Sequence, residues 1–343
     1  MSRVTIQDIA DRLGISKFAV SRALTGKPGV SDATRLLVHN AASSLGYTVK
    51  RKPSAHTIEV LFKDRATASR ELWVDVQNGI DHESERNGCQ MAVRWGATEA
   101  SLTGPDVVGH ILVGPHPEAL LQAALASPLP SVVVNHIVPP LWPRDQVSAA
   151  DVEAGISVAR YLHDLGHRRV VYAHGRRGYP GRQARLAGFS EGIASLGGMD
   201  LREVGFSDDQ AAGDLREALS AMVQSGFEPT AFFCGSDIVA VTILSELMRL
   251  GLRVPEDVSV IGHADYAIAS QISPQLTTVH MPHREMGIVA VRALLARAGQ
   301  LTFLDGLPAQ RFHIVPNLVE RQSSGPALQG SWRQRLRALT SAP

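Results

Sequence analysis

Apolar residues near the start of the chain recur every three to four positions, which is the spacing of an amphipathic helix. They are Ile6, Ile9, Ala10 and Leu13, then Val20, Ala23 and Leu24. Between the two sets, Gly14 permits the positive φ of a sharp turn, Ile15 fills the corner and Ser16 is a suitable N-cap. The pattern therefore predicts two short helices joined by a tight turn. The outer face of the second helix is formed by Lys17, Phe18, Ser21 and Arg22.

A third helix is predicted after Ser31, which caps it, and it ends near Gly46. Its buried stripe is formed by Ala33, Leu36, Leu37, Ala41 and Leu45. Three helices within about 45 residues are typical of a helix-turn-helix headpiece that reads DNA with its second helix. The alternative is an ordinary three-helix bundle whose polar face only meets water. Phe18 has an alternative too, since it adjoins the buried Val20 and would fit a core.

After residue 57 the pattern changes to apolar, β-branched runs that alternate with helical stretches of about a dozen residues. The runs cover Ile58 to Phe62, Met91 to Trp95, Val107 to Val113, Ser131 to Val134, Val170 to Ala173, Thr230 to Cys234 and Val258 to Ile261. Buried strands separated by helices indicate doubly wound parallel sheets. A helix from about Val152 to Leu165 separates the runs into two groups, so two similar α/β lobes are predicted.

The length of 343 residues, with 44% hydrophobic content, suffices for a headpiece followed by one large or two medium α/β domains. No stretch approaches 18 uninterrupted apolar residues, so no membrane association is expected. Charged residues at Arg3, Asp8 and Asp11 stand where a signal peptide would need an apolar core. A cytoplasmic location is the expectation.

Positive charge is concentrated at the start of the chain. Residues 1–52 hold nine Lys or Arg against three acids, a net charge of about +6, whereas the whole chain is only +1. The rest of the chain is therefore negative. A local basic segment of this kind is what phosphate contacts require.

The residue types that carry catalysis or bind metals form no convincing motif. The two cysteines, Cys89 and Cys234, lie far apart without a CxxC or CxxH partner, so buried apolar roles are expected. His163 and His167 are four residues apart, but Gly166 ends the helix between them. The sequence contains no GxSxG elbow, no Walker loop and no GxGxxG after a strand. We therefore expect neither an enzyme nor a cofactor.

The headpiece closely resembles that of the LacI/GalR family of bacterial repressors. The resemblance is carried by Val4-Thr5-Ile6, Asp8-Ile9-Ala10, Gly14-Ile15-Ser16-Lys17, Val20-Ser21-Arg22-Ala23-Leu24, Gly26 to Ser31, Thr34-Arg35 and Leu45-Gly46-Tyr47. Further matches to the family's effector-binding core are Leu165 to Val170, Arg185 to Phe189, Val254 to Gly262, Pro274 to Val279 and Leu318 to Arg321. That core is similar to periplasmic sugar-binding proteins, in which the chain returns to the first lobe and then finishes both sheets. Here the return would use residues 281–305, and residues 306–325 would finish the sheets.

The resemblance implies a homodimer that binds a pseudo-palindromic DNA operator. It divides the chain into a headpiece at 1–49, a short basic linker at 50–57, a two-lobed core at 58–325 and a basic tail at 326–343. The residues expected to contact DNA are Thr5, Ser16, Lys17, Phe18, Ser21, Arg22, Ser31, Thr34, Tyr47, Lys50, Arg51 and Lys52.

The linker departs from the family pattern. Relatives place a short helix there, with a leucine that wedges into the minor groove, but no leucine lies between Leu45 and Leu61, and Pro53 leaves too few residues for a stable helix. We expect Lys50, Arg51 and Lys52 to contact phosphates instead, which makes binding steeply salt-dependent. A flexible tether that touches no DNA is the alternative.

Ligands of open parallel sheets bind at the carboxyl ends of the strands. Arg185 matches the family's ligand-binding arginine, and Ser236 and Asp265 follow strand ends in the second lobe. Trp73 would stack on a ligand ring or pack in the core. Two positions depart from sugar-binding relatives: Ser236 replaces an Asn, and Ala264 replaces the first Asp of a pair.

Because Ala264 cannot bond to hydroxyls, a neutral hexose is less certain here than in a typical member. The loop before Arg185 carries Arg176, Arg177 and Arg182, which favours an anionic effector or else forms a solvated surface. The expected effector is a sugar, sugar acid or sugar phosphate that acts as inducer or corepressor. A repressor with a degenerate, unresponsive pocket is the alternative.

Overall fold

A computed structural model gives the fold. It describes residues 5–24, 30–31, 34, 37–38, 41–42, 56–63, 70–96, 98, 102, 106–136, 138–175, 180–206 and 211–327. Tyr47, the basic residues of the linker and most of the C-terminal tail lie outside these residues. Within the described chain, no helix is both long and apolar enough to cross a membrane.

The headpiece begins with helices α1 (Ile6–Leu13) and α2 (Lys17–Leu24). Thr5 and Asp8 form a capping box at the start of α1, in which the Asp8 carboxylate accepts from the Thr5 amide at 2.7 Å. Gly14 ends α1 with φ of 64°, and the Ser16 hydroxyl accepts from the Ala19 amide at 3.1 Å. The predicted turn and its N-cap are confirmed.

The headpiece core buries Ile9 and Ala10 of α1 against Val20 and Ala23 of α2. A third helical segment completes this core with Val38, Ala41 and Ala42. The expectation for Leu37 was wrong, because its side chain is 59% exposed while Val38 is buried. Val38 takes the place of Leu37 in the buried stripe, and Ala41 is buried as predicted. Ala33, Leu36 and Leu45 lie outside the described residues.

The two-lobed core domain, which follows the headpiece, begins with the elements of the first lobe. They are β1 (Thr57–Phe62), α3 (Arg70–Arg86), β2 (Gln90–Trp95), β3 (Val107–Val113), α4 (Glu118–Ala126), β4 (Ser131–Val134) and β5 (Asp145–Ala149). The second lobe follows with α5 (Asp151–Asp164), β6 (Arg169–Gly175), α6 (Pro180–Leu196), β7 (Asp200–Gly205), α7 (Ala211–Gln224), β8 (Ala231–Cys234), α8 (Asp237–Arg249), β9 (Ser259–Ala264), α9 (Ala267–Gln271) and β10 (Thr277–His280). The remaining elements are α10 (His283–Arg297), β11 (Arg311–Ile314) and β12 (Asn317–Val319).

Each lobe has one six-stranded sheet. The strand orders are β11-β5-β4-β3-β1-β2 in the first lobe and β12-β10-β9-β8-β6-β7 in the second. All pairs are parallel except β12, which runs antiparallel to β10. The seven predicted strands are all present, and the two predicted lobes are confirmed.

The chain passes between the lobes three times, at residue 150, at residues 281–282 and at residues 315–316. Helix α10 packs against α3, so the chain does return to the first lobe after β10, as expected. Strands β11 and β12 then add one strand to each sheet. Both cysteines are buried and free, which agrees with their predicted apolar role.

Candidate functional site

The surface of α2 presents an exposed aromatic ring beside a cation. Phe18 is 68% exposed, so it does not belong to the headpiece core. The Arg22 guanidinium lies over its ring at 4.9 Å from the centroid, within the range of a cation–π contact. Lys17 is exposed and Ser21 is half-buried on the same helix. The face of α2 that the sequence predicts to point outward therefore lies at the surface of the headpiece.

Several hydroxyls that the sequence analysis assigns to DNA contact form hydrogen bonds within the headpiece. The Thr5 hydroxyl donates to Asp8 at 2.8 Å, and the Ser16 hydroxyl caps α2. The hydroxyls of Ser31 and Thr34 bond to each other at 2.8 Å. Tyr47, Lys50, Arg51 and Lys52 lie outside the described residues.

A cavity of about 510 Å³ separates the two lobes and is called the cleft below. Polar residues of the first lobe that line it are Asn135, His136, Gln146, Ser148, His283 and His313. The second lobe supplies Asp151, Glu153, Arg182, Arg185, Ser236, His263 and Tyr266. Asn135, Ser236 and His263 lie at or just after the carboxyl ends of their strands, which is where an open parallel sheet binds ligands.

Close packing of α5 on α6 sets the charged wall of the cleft. A Cβ on Gly155 would collide with the carbonyl oxygen of Arg185, and one on Gly188 would collide with that of Val152. Because both positions are glycine, Asp151 at the start of α5 comes close to Arg185. The Arg185 Nη1 atom lies 3.4 Å from the Asp151 Oδ1 atom, and their side chains are 10% and 12% exposed.

Burial raises the pKa of the Asp151 carboxyl, and the neighbouring Arg185 cation acts in the opposite direction. Sequence reasoning missed Asp151. A signal was available, since Asp151 directly precedes the helix that the sequence predicts from about Val152, and the structure makes it the first residue of α5. Its partnership with Arg185 depends on the helix packing, which the sequence pattern does not give.

Arg182 and Ser236 form a second polar group in the wall. Arg182 donates to the His174 carbonyl at 2.9 Å and to the Ser236 hydroxyl at 3.4 Å. Ser236 in turn caps α8 by accepting from the Val239 amide. Ser236 thus lines the cleft as expected, and its hydroxyl is held in place from two sides.

Two histidines of the cleft are kept uncharged by their surroundings. Burial lowers the pKa of His263 well below its usual range, and the Arg185 cation lowers it further. Burial likewise lowers the pKa of His283 to about 3. His263 is 2% exposed, and its Nε2 atom lies 3.6 Å from Asp151 Oδ1.

Asp265 does not line the cleft, although Ala264 beside it does. Its carboxylate accepts from Arg321 at 2.7 Å and lies 3.1 Å from the His280 ring nitrogen. Ala264 and Asp265 have φ of 113° and 58°, a strained turn for residues with a side chain. The structure therefore brings Arg185 and Ser236 together at the cleft but leaves Asp265 outside it.

Asp237, another buried carboxyl, fixes this turn through hydrogen bonds. It accepts from the Tyr266 amide at 2.7 Å and from the Thr278 hydroxyl at 2.6 Å. Burial raises its pKa to about 6. These two hydrogen bonds hold the turn that places Ala264 in the cleft wall.

Trp73 packs in the core and also lines the cleft, where a ligand ring could meet it. It lines the cleft, and its ring packs edge-on against Phe62 with centroids 5.8 Å apart. A Cβ on Gly114 would collide with the Trp73 ring, so the indole lies directly on the backbone there. Core packing thus holds an aromatic ring at the cleft wall.

The residues that line the cleft weaken the inference from the loop arginines that the effector is an anion. Arg176 and Arg177 lie outside the described residues, and Arg185 is matched by Asp151. Arg185 therefore adds little net positive charge to the cleft. Among the described residues, the charged ones that line the cleft are Asp151, Glu153, Arg182 and Arg185, two of each sign.

Comparison with known proteins identifies the family. Residues 5–49 match the lacI family of bacterial regulatory proteins, and residues 159–324 match the periplasmic binding protein-like domain. The transcriptional repressor CytR of Escherichia coli is 30% identical over 310 residues, which cover 85% of this chain and 89% of CytR. The transcriptional regulator CelR of Thermobifida fusca is 28% identical over 320 residues, covering 86% of this chain and 92% of CelR.

A solved structure of a CelR–cellobiose complex superposes with a TM-score of 0.67 at 25% identity. It covers 94% of this chain and all of that one. The relatives are transcriptional regulators, and the headpiece and two-lobed core described above occur together in them. This chain belongs to the lacI family of bacterial regulatory proteins, which are DNA-binding transcriptional regulators.

Proposed function

We propose that this protein is a homodimeric repressor whose affinity for operator DNA is controlled by a small molecule bound in the cleft. One observation carries the proposal: the buried Arg185–Asp151 pair faces a cavity of about 510 Å³ between two lobes. A cavity of this size fits a small molecule, and few convergent polar groups suffice to orient one. As a DNA-binding regulator, the protein would act in the cytoplasm.

The proposed DNA contacts are those of the α2 face, Lys17, Phe18, Ser21 and Arg22, with a guanine edge for Arg22 and a thymine methyl for Phe18. Two headpieces of a dimer would read the two halves of a pseudo-palindromic operator. The proposed division of the chain is the headpiece at 1–49, the linker at 50–57, the effector-binding core at 58–325 and a basic tail at 326–343. Lys50, Arg51 and Lys52 would add phosphate contacts.

The proposed effector is a carbohydrate or a close derivative, a sugar acid or sugar phosphate. Trp73 offers a ring for stacking, and Arg185, Asp151 and Ser236 offer hydrogen bonds of the kinds that hydroxyls use. The similarity to a CelR–cellobiose complex supports this class. The balanced charge of the lining residues favours an uncharged member of it.

Control of DNA binding would follow from a change in the angle between the lobes. The chain connects the lobes by three short crossings, so one lobe moves against the other as a body. A ligand that bridges both walls favours one angle, and the headpieces of a dimer then change their spacing. Coupling of about 1 to 3 kcal/mol corresponds to a change of about 5- to 150-fold in operator affinity.

The experiment has two stages on the full-length protein. In vitro selection from random duplex DNA first yields an operator. Thermal unfolding is then recorded with a panel of sugars, sugar acids and sugar phosphates, since a ligand at 100 times its Kd adds about 2.7 kcal/mol of apparent stability. Fluorescence anisotropy on the selected operator measures whether each binder changes DNA affinity. The absence of any selected DNA sequence would overturn the repressor assignment.

An effector-insensitive repressor is the second candidate, and Ala264 favours it. This residue lines the cleft without a polar side chain, at a position where the family resemblance places a carboxylate. This candidate predicts a selected operator whose affinity no member of the panel alters.

A further inference from the structure

We propose that His263 and Asp151 form a specificity subsite that selects an uncharged hydroxyl of the effector and disfavours a carboxylate or phosphate at the same place. The inference rests on the proposed function and names the ligand chemistry of its cleft. It concerns the ring nitrogens of His263 and the Oδ1 atom of Asp151, which have no hydrogen-bond partner among the residues that the structure describes, although Arg185 Nη1 lies 3.4 Å from Oδ1.

His263 is the most unusual polar group of the cleft. It is 2% exposed and lines the cavity, yet neither ring nitrogen has a hydrogen-bond partner among the residues that the structure describes. The Asp151 Oδ1 atom, 3.6 Å from His263 Nε2, has no hydrogen-bond partner there either. Buried polar atoms are nearly always bonded, so such a pair in a cleft is suited to a ligand that completes it.

The imidazole of His263 is neutral in this setting. The charged and titratable groups that face it are Asp151, Arg185, Arg182 and His283. Burial and the two arginines lower its pKa well below the usual range. A neutral imidazole has one donor and one acceptor. Because the nearest acceptor is Asp151 Oδ1, the proton belongs on Nε2, which leaves Nδ1 as an acceptor.

The unpaired acceptor, His263 Nδ1, defines the ligand group that fits beside it. A hydroxyl donates to Nδ1, whereas an ionised carboxylate has no proton to give and a phosphate at pH 7 mostly lacks one. Among the described lining residues, Asp151 and Glu153 offset the charges of Arg182 and Arg185, so an anion gains no net attraction that would replace this bond. The subsite therefore fits an uncharged polyol.

Ala264 explains why a histidine one residue earlier takes this role. Alternate residues of a strand face opposite sides, but Ala264 has φ of 113° at the end of β9 and breaks the alternation. His263 and Ala264 consequently both line the cleft. The small alanine leaves room beside the imidazole, and the imidazole supplies the polar atom that Ala264 lacks.

The first test needs no ligand. Nitrogen-15 NMR of the full-length protein, with the His263 signals assigned from a His263→Asn variant, reports the protonation of each ring nitrogen. We expect a neutral ring with its proton on Nε2 at pH 7. A doubly protonated ring, or a proton on Nδ1, would overturn the inference whatever the effector is.

The second test uses matched neutral and anionic probes. Isothermal titration calorimetry compares cellobiose with cellobionate, and ribose with ribose 5-phosphate, on the wild type, on His263→Phe and on the control His82→Phe, an exposed histidine of α3 that does not line the cleft. We expect the neutral member of at least one pair to bind about tenfold or more tightly than its anionic partner. His263→Phe should abolish that preference and His82→Phe should retain it. Thermal unfolding verifies that each variant folds, and His263→Asn replaces His263→Phe if it does not.

The outcomes separate the two claims. Tighter binding of the anionic members, or an unchanged preference in His263→Phe, would overturn the subsite while leaving effector control intact. If no probe binds and the NMR result is as expected, the choice of carbohydrate in the proposed function fails. The assignment of His263 Nδ1 as an acceptor for a ligand hydroxyl is then retained.

Discussion

The Glu71 carboxylate accepts a hydrogen bond of 2.7 Å from the backbone amide of Ala267. Glu71 belongs to α3 of the first lobe and Ala267 begins α9 of the second lobe, so the bond joins the lobes directly. Its neighbours Leu72, Trp73 and Tyr266 line the cleft. Any opening of the cleft on this side must break the bond.

Replacing Glu71 by Ala should therefore favour a more open arrangement of the lobes. A hydrogen bond of this kind contributes about 1 kcal/mol, which shifts a two-state equilibrium about fivefold. Small-angle X-ray scattering of the ligand-free protein would show a larger radius of gyration. The control is Glu71→Gln, whose amide oxygen still accepts from Ala267, and it should scatter like the wild type. Identical scattering from Glu71→Ala would show that the bond does not restrain the lobes.

Replacing Arg22 by Ala should weaken operator binding by about 1 to 3 kcal/mol and relax the base preference at one position. The loss should exceed that of Arg12→Ala, since Arg12 is an exposed cation on α1 rather than on the reading face of α2. Competition binding against operators with single base changes measures both effects. Unchanged operator recognition by Arg22→Ala would refute the proposed docking of α2.

Sequence patterns predicted the strands that are buried on both faces. Strands β1, β3 and β8 are mostly apolar, with Glu59 in β1 and His110 in β3 as buried exceptions, and their observed ends lie within a residue of the predicted ones. Strands β5 and β7 were missed because their sequences, DQVSA and DLREVG, are not apolar runs. In β5 the half-buried Gln146 and Ser148 line the cleft, so a functional surface interrupts the apolar pattern.

The cleft was only partly predictable because much of it depends on packing between elements. Arg185 and Ser236 were found from motif and strand position. His263 was also expected there, since it lies at the end of a predicted strand, and it lines the cleft. Asp151 was not found, since its proximity to Arg185 and His263 follows from the approach of α5 to α6. Asp265 was misplaced because the sequence does not show that Arg321 holds its carboxylate.

The protein should lose stability as the pH falls from 7 towards 4. Burial lowers the pKa of His116 and His167 to about 4 and that of His283 to about 3, whereas an unfolded histidine titrates near 6.5. The unfolded state then binds protons that the folded state does not, so stability is present above pH 6.5 and is lost below it. Asp75, Asp151 and Asp237 act oppositely, because burial raises the pKa of these carboxyls, that of Asp237 to about 6, and this favours the folded state as the pH falls. With His110 and His263, whose pKa values burial also lowers, five histidines of the described chain outnumber these three carboxyls.

His167 allows a direct test of this pH dependence. Its ring bonds to the Thr230 hydroxyl at 2.9 Å and to the Gly325 carbonyl at 3.0 Å. His167→Gln should reduce the difference in unfolding free energy between pH 7 and pH 5 by about 2 kcal/mol, as measured by urea denaturation. The control is His82→Gln, since His82 is exposed on α3 and its surroundings change little on unfolding. Equal differences in the two variants would contradict the assignment to buried histidines.

Replacing Arg185 by Ala should abolish the response to the effector while operator binding remains, because Arg185 lies in the cleft and not in the headpiece. The variant should also be less stable, by about 3 kcal/mol, since Asp151 is left buried without its counter-charge. The double variant Arg185→Ala with Asp151→Asn removes both charges and should regain part of that stability, which a double-mutant cycle in urea measures. Arg185→Lys keeps the charge but not the planar fork, so it should preserve stability better than it preserves the effector response. A normal shift in operator affinity on adding the effector to Arg185→Ala would remove Arg185 from the site.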